Sequence, residues 1–248
     1  MRLLLAAFVA ALSISSAHAA ELTVLSPGFV KFAGIDDLAA AYTKETGVKV
    51  TVKSTGMGAM MNTIKTGSPA ADVVMLPQNL MDQLSAEKGV LAGSRQSLGR
   101  VQIVMIVPAN APHPDISTHA KLAAAFHGAR HVAYSSPWKD EKSAQALIIH
   151  DILQRPEFAA THEVLIMNGN GVKGIKDGAD MALQLECETR DPAVSVVGPL
   201  PADLHAWLDG DVAVSSRSAD AKAAADFIAY ILRPAAASVW KAKGLERS

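Results

Sequence analysis

The sequence predicts an α/β fold of two lobes, each a mixed, mostly parallel sheet flanked by helices. Three observations point there. Strand-like and helix-like periodicities alternate along nearly the whole chain. The strand ends carry Ser, Gly, Thr and Asn rather than long polar loops. The chain would cross from one half to the other and back at two places, near 99–108 and near 198–201.

The elements follow in order. ELTVLS (21–26) has strand character, and Ile35, Leu38, Ala39 and Tyr42 then repeat at helical spacing up to Gly47. VKVTVKS (48–54) alternates as a strand, and a helix runs through Met60, Met61 and Ile64 to Gly67. ADVVML (71–76) is a short buried strand, followed by a helix carrying Leu80, Met81 and Leu84 and closed by Gly89. This βαβαβ series implies parallel strands with helices on their faces. VQIVMIVP (101–108) is a strong strand and leads into the Pro-rich ANAPHPDIST. A helix over 121–126, a strand over 131–136 and a helix over 142–153 come next. EVLIMN (163–168), a short helix from Val172 and ADMALQL continue the alternation. Strands VSVVGPLP (194–201) and DVAVSS (211–216) precede two C-terminal helices, the first with Ala224, Phe227, Ile228 and Ile231 on one face. The lobes are expected over 20–104 plus 200–248 and over 105–199. A chain crossing twice between lobes suits hinge motion about a cleft.

The first residues read MRLLLAAFVAALSISSAHA. One basic residue, an apolar core over 3–14 and the small residues Ala17 and Ala19 around His18 form a secretory signal peptide over 1–19, with the mature chain starting at Ala20. No cysteine stands at the cleavage point and no second long apolar stretch follows, so a soluble, exported, periplasmic protein is expected. Without Arg2 the chain carries 22 basic residues (23 minus 1) against 24 acidic ones, a balance that argues against nucleic-acid binding. Cys187 is the single cysteine, so no internal disulfide forms, and its apolar neighbourhood makes it a small core residue.

Four polar junctions are the informative feature: SPG (26–28), STGMG (54–58), SSPW (135–138) and NGNG (168–171). Each joins a strand end to a helix. In open α/β sheets ligands bind outside the carboxyl ends of the strands, and helix starts there present unpaired N–H groups and partial positive charge to anions. Glycine admits close approach, and hydroxyls and amides add donors. One such junction would be ordinary helix capping; four together point to a cleft for a small anion. The expected contacts are Ser26, Gly28, Ser54, Thr55, Gly56, Met57 and Gly58 from the first lobe, and Ser135, Ser136, Asn168, Gly169 and Asn170 from the second.

The chain also resembles the molybdate-type periplasmic solute-binding proteins of bacterial ABC transporters. The resemblance rests on LTVLSPG, DLAAAYTKETGVKVTV, IKTGSPAADVVMLP, SLGRVQIVMIVP and the tail AAADFIAYILRPAAASVWKAKGLE, and spans nearly the whole mature chain. It implies a two-lobe type II periplasmic-binding-protein fold, a cleft closing on a small oxyanion, and membrane transporter subunits as partners of a monomer needing no cofactor. Met57 falls where the family keeps a serine, and Leu185 falls on its tyrosine. The loops look closer to a divergent branch, and some members of this fold look like isomerases of small polycarboxylates. Lys31, Lys139 and Lys173 each follow a junction closely. Lysines facing the cleft would favour a ligand with more than one carboxylate; their commoner place is solvent.

Other chemistry fits poorly. The glycine loop lacks the Gly-Lys-Ser/Thr of a phosphate loop, and Met61 stands where a dinucleotide fingerprint needs glycine. The histidines are scattered, with no HExxH, so no metal site is expected. Met60 and Met61 have helical core spacing, while Met57 between two glycines is a candidate to line the cleft. The expected function is capture of a small anion, oxyanion or carboxylate, for an ABC transporter. A sensing partner of a membrane receptor and an isomerase of a small polycarboxylate such as aconitate are the alternatives. For the isomerase, Glu186, Glu188 and Lys139 are the nearest candidate bases, and Trp138 could stack on a flat ligand.

Overall fold

A computed structural model describes residues 21–68, 70–137 and 143–247, without the side chains of Met57 and Gly58. The expected signal peptide, Trp138 and Lys139 lie outside the described residues. The first half contains β1 (Glu21–Ser26), α1 (Gly28–Phe32), α2 (Ile35–Thr46), β2 (Lys49–Ser54), α3 (Met57–Thr66), β3 (Val73–Pro77) and α4 (Gln78–Ala86). The long β4 (Gln96–Pro108) follows, then α5 (His119–Gly128), β5 (Val132–Ser135), α6 (Ala144–Leu153), β6 (Glu163–Ile166), α7 (Gly171–Lys176) and β7 (Met181–Leu185). The chain closes with β8 (Val194–Pro199), β9 (Trp207–Val214), α8 (Ala221–Leu232), α9 (Ala237–Ala242) and β10 (Leu245–Glu246).

The strands run in the order β2-β1-β3-β9-β4-β7-β5-β6, with β8 and β10 also pairing with β4. The outer pairs are parallel: β1 with β2 and β3, and β5 with β6 and β7. The middle is antiparallel, because β9 returns between β3 and β4. Strand β4 belongs to both halves. Residues up to Gln102 pair with β9, and Val101 and Arg100 also face β10; from Ile103 on the partners are β7 and β8. Every residue from Ile103 to Val107 is buried, as a nearly unbroken apolar run requires of a strand covered on both faces.

Helices cover both faces of each half. In the first, Phe227, Ile228 and Tyr42 from α8 and α2 pack with Leu22, Val24, Val73 and Met75. On the opposite face Met60, Ile64, Met81 and Leu84 pack with Leu25, Val74 and Leu76. Met60 is thus a core residue, as its spacing predicts. In the second half α7 lays Val172 and Ile175 on Val104, Ile106 and Ala182. Cys187 is buried, and desolvation raises its thiol pKa, so it stays an un-ionised core group. Buried Asp72 joins distant segments by accepting from Thr23 N (2.9 Å), Ser218 Oγ (2.8 Å) and Ala219 N (3.1 Å).

Two features escape the periodicity. Strand β10 is two residues long, too short to alternate visibly, and owes its place to β4. Strand β4 also begins earlier than its apolar run, at Gln96, because pairing with β9 carries polar residues into the ladder.

Gly99 makes the approach of β10 possible. Its φ of +124° is closed to other residues, and a Cβ there would stand 2.3 Å from the Glu246 carbonyl oxygen. Gly99→Ala is therefore expected to cost about 2–4 kcal/mol, from backbone strain and lost β10 pairing. Urea unfolding measures this, and an unchanged midpoint would refute the close approach.

Candidate functional site

Among the described residues, the strand ends and helix starts of both halves meet at a cavity of about 410 Å³. Gly28 and Phe29 open α1, Thr55 and Gly56 precede α3, and Ser135 ends β5. Gly169 and Asn170 precede α7, while Ser143, Ala144 and Gln145 start α6. Leu185, Glu188 and Leu208 complete the wall. The convergence follows from register: β1 and β2 are parallel and end together at Ser26 and Ser54, and β5 and β6 end together at Ser135 and Ile166.

The expected contacts divide. Gly28, Thr55, Gly56, Ser135, Gly169 and Asn170 line the cavity. Ser26 is fully buried and donates to the Pro27 carbonyl (3.2 Å). Ser136 is also fully buried, and its N–H donates to the Ile166 carbonyl (3.0 Å). Both sit behind the wall, binding the junction to itself. Ser54 and Asn168 are exposed and do not line the cavity. The backbone of Met57 and Gly58 opens α3; the Met57 side chain lies outside the described atoms. Lys31 is exposed, pairs with Asp36 at 2.5 Å and does not line the cavity. Lys173 pairs with Asp177 at 2.5 Å and lines a neighbouring cavity.

The second-half wall is held by a chain of side-chain bonds. Gln184 Oε1 accepts from Gly171 N (2.8 Å), and Gln184 Nε2 donates to the Glu188 carboxylate. Asn170 bonds the same carboxylate, and its Oδ1 accepts from Lys173 N (3.3 Å) as the cap of α7. Gly171 allows this closeness, since a Cβ there would meet the Leu183 carbonyl oxygen at 2.9 Å. Ser135 Oγ donates to the Gly169 carbonyl (3.2 Å), joining the two junctions of this half.

The electrostatics are distinctive. No Lys, Arg or His lines the cavity among the described residues, so its donors are neutral. Glu188 is its single ionisable group there. Burial pushes the Glu188 pKa up to about 7, although the bonds from Asn170 and Gln184 pull it down. Gln145 is 6 % exposed, lines the cavity and makes no hydrogen bond among the described residues. No group of three or more His, Cys, Asp and Glu suited to a metal occurs among the described residues. No helix among them is long and apolar enough to cross a membrane.

Sequence reasoning missed the start of α6. Its signal is Ser143, whose side chain accepts from Ala146 N at 3.4 Å as a helix cap; the helix was expected to begin at 142, which hid that cap. Glu188 enters the sequence reading only as a candidate base, not as a residue lining the cavity.

Comparison with known proteins follows the same lines. The chain is 29% identical over 231 residues to "Aconitate isomerase" of a Pseudomonas species, covering 91% of this chain and 87% of that protein. It is 25% identical over 225 residues to "Molybdate-binding protein ModA" of Escherichia coli K12, covering 85% and 83%. In three dimensions it is similar to a substrate-binding domain assigned to a molybdenum ABC transporter of Clostridium difficile, with a TM-score of 0.76, 18% identity and coverage of 92% and 99%. That likeness speaks for the fold, a two-lobe periplasmic-binding-protein arrangement. The sequence pattern described as "Bacterial extracellular solute-binding protein" matches residues 22–246. The chain belongs to the bacterial extracellular solute-binding protein family.

Proposed function

We propose that this protein captures a small anion, an oxyanion or carboxylate, between two lobes in the periplasm and presents it as a monomer to an ABC transporter. The lobes are residues 20–104 with 200–248, and 105–199, and they close by bending where β4 and the β8–β9 connection pass between them. The carrying observation is the convergence of neutral donors from both halves on one cavity, with no cation lining it among the described residues. Unpaired N–H groups at helix starts stabilise negative charge without a counter-ion. The Gln145 amide supplies a further donor. The oxyanion-binding and aconitate-isomerising relatives are both consistent with an anionic ligand.

A second reading has its own observation. Glu188, with a pKa near 7, can take a proton from a carbon acid and return it at a neighbouring carbon. An isomerase of a small polycarboxylate, such as the aconitate named in a relative, would use Glu188 in this way. No cofactor is required for such a proton shift.

Thermal-shift measurements against molybdate, tungstate, sulfate, phosphate and di- and tricarboxylates are expected to find at least one stabilising anion. The stabilisation is about 2.7 kcal/mol at a hundredfold excess over Kd. Gly56→Leu should lose that shift while folding normally, because Gly56 has an ordinary φ of −64°. Absence of a shift from every anion would overturn the capture reading. Binding should also depend on pH with a definite sign. Glu188 is neutral below its pKa of about 7 and repels an anion above it, so affinity falls as pH rises from 6 to 8, by roughly tenfold. Glu188→Gln should flatten that profile. The isomerase reading requires the opposite slope in turnover, because a base must be deprotonated. Followed by ultraviolet absorbance on cis- and trans-aconitate, kcat would rise through pH 7 and fall by about 10²–10⁴ in Glu188→Gln. Saturable aconitate binding without turnover would exclude it.

A further inference from the structure

A second cavity, of about 400 Å³, adjoins the first, and Asn170 and Glu188 line both. Its character is opposite. Where the first offers neutral donors among the described residues, the second carries Lys173, Lys176 and Arg190 beside the carboxylate of Asp191. Lys173 and Lys176 are paired with Asp177 and Asp191, each at 2.5 Å, in half-exposed pairs. Exposed pairs of this kind are worth about 0–1 kcal/mol and exchange readily for another carboxylate. Arg190 differs. It has no carboxylate within ion-pair distance among the described residues; instead its Nη1 and Nη2 donate to the carbonyls of Phe32 (3.2 Å) and Ala242 (3.0 Å). Two carbonyls fix the guanidinium in place, with Glu186 facing its charge from beyond ion-pair distance, and a guanidinium held this way is a ready partner for a carboxylate.

A compact tetrahedral oxyanion would fill the neutral cavity and leave this cationic annex unused. A small acid with two or three carboxylates would use both. Resting on the anion-binding reading above, we infer that the ligand is a small polycarboxylate spanning the two cavities. One carboxylate lies in the neutral cradle with Gln145, and another lies on Arg190 flanked by Lys173 and Lys176. Asn170 and Glu188 then stand at the middle of the ligand, on the carbon skeleton between its acid groups. Arg190 becomes the residue that separates polycarboxylates from inorganic oxyanions.

Calorimetric titration of the mature chain with tricarballylate, trans-aconitate, sulfate, molybdate and propionate tests this. The wild type is expected to bind the polycarboxylates at least tenfold more tightly than sulfate, molybdate or propionate. The ratio of polycarboxylate to sulfate affinity should fall at least tenfold in Arg190→Gln. Because Arg190 also bonds two backbone carbonyls, the double variant Lys173→Gln with Lys176→Gln, which leaves those bonds intact, is measured beside it and should lower the same ratio. A wild type that binds sulfate or molybdate as tightly as the polycarboxylates would overturn the inference and leave anion capture standing. So would ratios unchanged in both variants. A wild type that binds none of the five would overturn both.

Discussion

Strand β4 is the constraint on which the rest of the molecule depends. One continuous strand exchanges partners at Gln102 and Ile103, from β9 and β10 to β7 and β8. Both sheets are therefore built on the same backbone, and neither can be repacked without disturbing the other. The strand is buried on both faces through its second half, which needs the unbroken apolar run and rules out the alternation of an exposed strand. Its antiparallel neighbours sit in the middle, and the parallel strands β1, β2, β5 and β6 lie outside them. Parallel strands end on the same side as their neighbours, so their helix starts gather there, and the cavity forms where the two gatherings meet.

The charge pattern of the site follows from that construction. Backbone N–H groups at the helix starts and the Gln145 amide give this wall hydrogen-bond donors without a formal charge. Glu188 is the exception within this wall. Its burial holds a proton close to neutrality, and its bonds to Gln184 and Asn170 tie that proton to the position of α7. Gln184 links the same carboxylate to the first residue of α7, through the Gly171 N–H. The cations stand one step away, in the adjoining cavity.

Much of this was readable beforehand where the pattern is periodic. Ile35, Leu38, Ala39 and Tyr42 repeat every three or four residues, and each is buried. VQIVMIVP announces its strand by composition alone. Of the site, Gly28, Thr55, Gly56, Ser135, Gly169 and Asn170 line the cavity because helix starts after parallel strands have a predictable chemistry. Ser26 and Ser136 have that same chemistry but lie behind the wall, and Ser54 and Asn168 face solvent. The difference between neighbours such as Ser135 and Ser136 is direction, and composition does not encode direction.

The sequence by itself determined the α/β class, the order of the elements and the junctions that carry polar groups, because periodicity and capping are local and are written in neighbouring residues. Only the tertiary structure decided that β9 returns antiparallel between β3 and β4, that β10 closes on Gly99, and that Glu188 and Gln145 face one cavity. Those outcomes depend on segments far apart in the chain meeting at close range. The contact of Glu246 with Gly99 and the meeting of α1, α3, α6 and α7 are set by packing, and no single stretch of residues holds that information.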